Sequence, residues 1–162
     1  MKNKKTAISF LILIILLIFS IFGSGCAKRG DTEPDYSKAI ADDFLIAVSA
    51  SDYDFVSTVL SENFKENLKS MTDPETQQKY TNEEDAFIKK ISKPIIEKIG
   101  QYEKGSLTFI KSLTEKGYTS VFYETKFSKE TQGPVTVQFV FEESDGKMLV
   151  DGLWFSSKTL QQ

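Results

Sequence analysis

The sequence has no histidine and only one cysteine, Cys26, in its 162 residues. Imidazole ligands and multi-thiolate cages are therefore excluded within the chain. Histidine-based triads and histidine acid–base chemistry are excluded as well. A lone cysteine cannot close an internal disulfide. Arginine occurs once, at Arg29, against 19 lysines; this is a composition bias and carries no functional signal. Charge is missing altogether from Thr6 to Ala27. Within that run, Ile8 to Phe22 is almost wholly Ile, Leu and Phe.

Lys2, Lys4 and Lys5 precede the uncharged run, and Gly23-Ser24-Gly25-Cys26 closes it. A basic head, an apolar middle and a small-residue cleavage region make the layout of a secretory signal. The cysteine directly behind small residues resembles a bacterial lipoprotein signal. Ser24, Gly25 and Cys26 fit that family's box, while Gly23 stands where the family prefers Leu. The resemblance implies a signal peptide over 1–25, lipid attachment at Cys26, and an extracytoplasmic protein anchored to the cell membrane or outer membrane. Ala27 after the cysteine does not resemble the family's Asp retention signal, which favours the outer membrane where there are two. Stable anchoring takes two acyl chains or more, each methylene contributing about 0.8 kcal/mol. Two other readings remain open. About 20 apolar residues suffice to span a bilayer, so the run could stay as an uncleaved helix. It could also be an ordinary cleaved signal with Cys26 incidental.

Without residues 1–25 the chain keeps 17 basic and 23 acidic residues, a formal charge of −6. That balance argues against a nucleic-acid partner and against docking on anionic lipid through a basic patch, so attachment must come from the lipid and not from charge. The length fits one domain plus a tether. Residues 26–35 lack apolar periodicity and read as a flexible lipidated tether.

A helical period opens at Tyr36, with Ala39, Ile40, Phe44, Ala47 and Val48 at spacings of three and four. Asp43 falls inside that arc and Asp42 outside it, which makes Asp43 the one candidate pocket acid. Asp35 or Ser37 could cap this helix. Asp52 is a candidate N-cap for a short helix bearing Phe55, Val56, Val59 and Leu60. Phe64 and Leu68 extend the stripe to Ser70. Asn82 or Thr81, with Glu84 and Asp85, opens a third helix carrying Phe87, Ile88, Ile91, Ile95 and Ile99. Pro94 predicts a kink or split near Ser92, and Gly100 a stop.

After Gly100 the period becomes two. Strands are expected near 105–114, 118–128, 134–143 and 147–156, joined by short glycine-bearing turns into an antiparallel meander. In the last strand strict alternation sets Met148, Val150 and Trp154 on one side and Leu149, Leu153 and Phe155 on the other. Both sides are thus partly apolar, which predicts some cover on the second face. Trp154 is expected to be buried.

Helices followed by a curved four-strand meander, closing on Asp145 to Phe155, resemble the cystatin-like, nuclear-transport-factor-2-like cone fold. The resemblance covers residues 36–157, leaving 158–162 as a C-terminal tail. It implies an α+β class, and it selects no activity. The isomerase branch of that superfamily uses a pocket acid with hydrogen-bond donors, for which Asp43, Tyr123 and Glu124 would be the counterparts. Tyr123 and Glu124 are neighbours on one strand and must face opposite ways. The expectation is a non-enzymatic domain without cofactor or metal, binding a protein or an apolar small ligand. An isomerase-like or dehydratase-like enzyme built on Asp43 is the alternative. So is a self-association module forming a homodimer. The protein partner would be another envelope protein.

Overall fold

The computed structural model describes residues 28 to 73 and 76 to 161. It is an α+β domain with its helices on one face of an open antiparallel sheet. The helical half comprises α1 (Ser37–Ala50), α2 (Tyr53–Val59), α3 (Glu62–Ser70), α4 (Glu83–Phe87) and α5 (Lys93–Lys98). The sheet comprises β1 (Lys28–Gly30), β2 (Thr108–Glu115), β3 (Tyr118–Thr125), β4 (Val135–Ser144) and β5 (Lys147–Ser156), in sequence order. Among the described residues no helix is long and apolar enough to cross a membrane.

Local chemistry sets the helix ends. Asp52 caps α2 by accepting from Phe55 N at 3.1 Å, and Asn82 caps α4 through Asp85 N at 2.8 Å. Ser61 Oγ does the same for α3 through Phe64 N at 2.9 Å. The expected cap at Asp35 or Ser37 is absent, because the Ser37 hydroxyl turns to Pro34 O and Tyr123 instead. Pro94 has no N–H to donate, so the preceding turn cannot keep an α register. Residues Ile88–Ser92 form a π turn there, and α5 restarts with Pro94 in its first turn. Ser92 Oγ donates to Val48 O at 2.6 Å and so fastens this irregular turn to α1.

The core lies between α1 and the inner face of the sheet. Phe44 meets Phe139 edge-on at 5.7 Å and Phe87 at 6.3 Å. Phe139 stacks on Phe141 at 5.9 Å. Along β4 every inner residue from Val135 to Phe141 is buried and every outer one is half-buried, a clean period of two.

Two bulges break that period elsewhere. Ile110 is the extra residue in β2, and Asp151 is the extra residue in β5. Each reverses the facing of the later residues in its strand. Past Asp151, Leu153 and Phe155 join Met148 and Val150 on the inner face, and Trp154 is turned outward. The expected burial of Trp154 is therefore wrong: it is 42 % exposed. Leu113, which a strict period of two would set on the face of Phe109, points outward for the same reason. Residues 28–30 also differ from expectation. They are an edge strand paired to β2, because Ser112 Oγ and the β2 backbone offer partners to Gly30 and Thr32.

The buried tyrosines make a pH prediction. Tyr53 is buried, and its hydroxyl has no hydrogen-bond partner among the described residues. Burial first, then Glu83, Glu84 and Glu62, pushes its pKa from the ordinary 10.0 up to about 12. Burial likewise raises Tyr102 and Tyr123. Between pH 10.0 and about 12 the unfolded chain has lost the Tyr53 proton while the folded chain keeps it. Stability is complete below that window and falls as pH rises through it. Tyr53→Phe should reduce this alkaline loss, leaving the part due to Tyr102 and Tyr123, and at neutral pH it should leave stability unchanged or raise it by about 1 kcal/mol. Urea melts at stepped alkaline pH check both statements.

Candidate functional site

Asp43 is exposed, which corrects the inward placement expected from the period. The buried arc of α1 is Ser37, Ala41, Phe44, Leu45, Ala47 and Val48. Ala39 is exposed and does not belong to it. Counting that small alanine as core rotates the apparent arc toward Asp43 and away from Leu45. Asp43 lies instead on an open depression of about 280 Å³ with Ile46, Ala47, Ala50, Asp52 and Phe55. Its neighbour Asp42 has the more constrained setting. It accepts the Tyr102 hydroxyl and, at 3.0 Å, Gly105 N. That carboxylate holds the 102–105 loop against α1, a structural duty.

Tyr123 is fully buried, and its hydroxyl lies 2.8 Å from Ser37 Oγ. Glu124 is exposed on the opposite face of β3. Asp43, Tyr123 and Glu124 are thus not brought together at one pocket. Cys26 lies outside the described residues. Among the described residues no group of three or more His, Cys, Asp or Glu could hold a metal ion.

The outer face of the sheet is where apolar surface remains open. Strand register aligns Lys111, Phe122, Gln138 and Trp154 in one row across four strands. The adjacent row is Leu113, Ser120, Val140 and Gly152. Lys111 Nζ sits 4.7 Å from the centre of the Phe122 ring, a cation–π contact. Gln138 Nε2 donates to Ser120 Oγ at 3.2 Å. The Trp154 indole lies over Gly152, where an added Cβ would come within 2.5 Å of its ring and 3.3 Å of Val140. Glycine at 152 thus makes the seat on which the indole rests while staying accessible. Sequence alternation misplaced Trp154 because the Asp151 bulge is silent in a period count. The Asp151-Gly152 pair inside a strand was the available cue.

This face carries two aromatic side chains, exposed Trp154 and half-buried Phe122, beside Lys111, Gln138 and Ser120. No family model, curated protein or solved structure matches this chain.

Proposed function

We propose that this chain is a lipid-anchored extracytoplasmic domain, built on the cystatin-like cone fold, that binds a protein partner without catalysing a reaction. The anchor is Cys26, supported by the basic head, the uncharged run and the small residues Gly23 to Gly25. The cone is supported by helices followed by an open, bulged meander. The observation that carries the binding role is the exposed Trp154 in register with Phe122 on the face opposite the helices. An aromatic held at the surface by a strand glycine is a natural anchor for a partner. The non-catalytic reading is supported by Asp43 opening to solvent and by Tyr123 lying in the core against Ser37.

Photo-crosslinking residues placed at 154, 122 and 55 on living cells test this. Adducts to one protein from 154 and 122, and none from 55, are expected. Adducts from 55 alone would move the site to the Asp43 depression and defeat the proposal. Adducts only to a second copy would mark a self-association module instead. A companion expectation is that Trp154→Ala lowers stability by about 1–3 kcal/mol, less than a fully buried aromatic would, because 42 % of the residue is already in water. A urea titration reads that directly.

A further inference from the structure

The short first strand fixes where the chain meets its anchor. β1 pairs Lys28 with Thr114, Arg29 with Leu113 and Gly30 with Ser112, antiparallel. The chain therefore enters the sheet from the end that carries the β2–β3 turn. Cys26 is two residues before Lys28, a reach of at most about 7.6 Å. Lys116, at the tip of that turn, is likewise two residues beyond Thr114. No spacer separates the proposed lipid site from this end of the sheet.

The β4–β5 turn lies at the same end. Both turns have two residues at positive φ: Lys116 at 51° and Gly117 at 86°, Asp145 at 52° and Gly146 at 73°. This is the pattern of type I′ turns, which keep hairpins short and stiff. The end is blunt and rigid. Loop residues 100–106 and 126–134 form the opposite end, about 30 Å away along the strands at 3.3 Å per residue.

The rows from the turns as far as Arg29 hold Lys28, Arg29, Lys116 and Lys147 against Glu115, Glu142, Glu143, Asp145 and Asp151, a balance of −1. Charge therefore does not draw this end to anionic lipid, and the entry point of the anchored chain sets the pose. Tyr118, 42 % exposed beside the first turn, has the apolar body and polar tip that suit headgroup depth.

We infer that the two-turn end of the sheet lies against the bilayer surface, with Tyr118, Lys116 and Lys147 at headgroup level and the strands running away from the membrane. The inference rests on the proposed anchor at Cys26. In this pose the outer face stands upright, so Trp154 is open to a partner alongside the domain and is not pressed onto lipid.

Depth measurement on the full-length chain tests the pose. The probe membrane is a vesicle of equimolar phosphatidylcholine and phosphatidylglycerol containing a headgroup-level quencher lipid. Single cysteines are introduced at the near end (Lys116→Cys, Asp145→Cys) and the far end (Lys104→Cys, Gln132→Cys), and each is labelled with a fluorophore. The near-end pair removes one charge of each sign, so a shared result is not a charge artefact. Quenching several-fold stronger at 116 and 145 than at 104 and 132 is expected. Equal quenching at both ends, or stronger quenching at the far end, overturns the pose. Label taken up by the chain with no introduced cysteine would show a free Cys26, and would defeat the anchor reading separately. The same four positions on a Cys26→Ser background, held by its retained apolar run, then decide the orientation by themselves.

Discussion

Replacing Phe139 by alanine should destabilise the domain by about 3–5 kcal/mol, the range for emptying a fully packed aromatic site. Phe139 is wholly buried at the middle of β4. It is in contact with Phe44, Tyr123 and Phe141 at 5.7, 6.5 and 5.9 Å between ring centres. These contacts come from a helix, a neighbouring strand and its own strand, so no single element can close over the void. A loss of that size is a large part of the usual 5–15 kcal/mol. Calorimetry and urea titration should agree on it. The same truncation at Trp154 should cost less, because that site is already partly in water. Equal effects at the two sites would mean that the outer face is covered in solution.

The contrast between these two aromatics locates what the sequence could and could not tell. Phe139 stands in Val135-Thr136-Val137-Gln138-Phe139, where alternation is unbroken and the inner face comes from counting. Trp154 lies past an extra residue. One bulge reverses every later side chain, and a bulge is decided by how β5 must bend around β4 and the start of α3. Ser61 N donates to Val150 O at 3.0 Å, and Asn63 Nδ2 donates to Asp151 Oδ1 at 2.9 Å. Those partners are far apart in sequence, so no local window contains the cause. Several helix boundaries were legible for the opposite reason, although the cap expected at Asp35 or Ser37 is absent and the break at Leu60 and Ser61 is not expected from the stripe. Asp52, Asn82, Pro94 and Gly100 act on backbone groups within a few residues of themselves.

The candidate site was legible in pieces. Phe122 and Val140 each stand between two buried inner residues, so a period of two places both on the second face. Trp154 reached the right face only through the bulge, and the Gly152 seat was invisible without it. Asp43 fails for a subtler reason. A helix arc drawn from apolar identity alone gives an exposed alanine the same weight as a buried phenylalanine. The buried arc of α1 runs through Ser37, Ala41, Phe44, Leu45, Ala47 and Val48, which leaves Asp43 outside it.

The other large effect is expected at Gly100, where the helical half hands over to the sheet half. Its φ is +89°, which an L side chain adopts only at a cost of about 1–2 kcal/mol. Space is the second obstacle. A Cβ here would come 2.7 Å from Lys129 N and 2.9 Å from Lys129 Cγ, and it would also strike Ser128 Oγ. The backbone atom cannot swing aside, because Lys129 N donates to Ile99 O at 2.9 Å. Ser128 is tied as well, its N–H donating to Gln101 O at 2.9 Å and its Oγ accepting from Gln101 N at 3.0 Å. Relief therefore requires breaking the join between the end of α5 and the β3–β4 loop. Gly100→Ala should lower stability by about 3 kcal/mol or more once strain and lost hydrogen bonds combine. Gly146 supplies the control. It has a comparable φ of +73° and nothing within 4 Å of a built Cβ. Gly146→Ala should therefore show the backbone cost alone. The difference between the two urea midpoints, at unchanged slope, measures the steric part at Gly100. Equal losses would place Gly100 in open space and leave the helix–sheet junction dependent on other contacts.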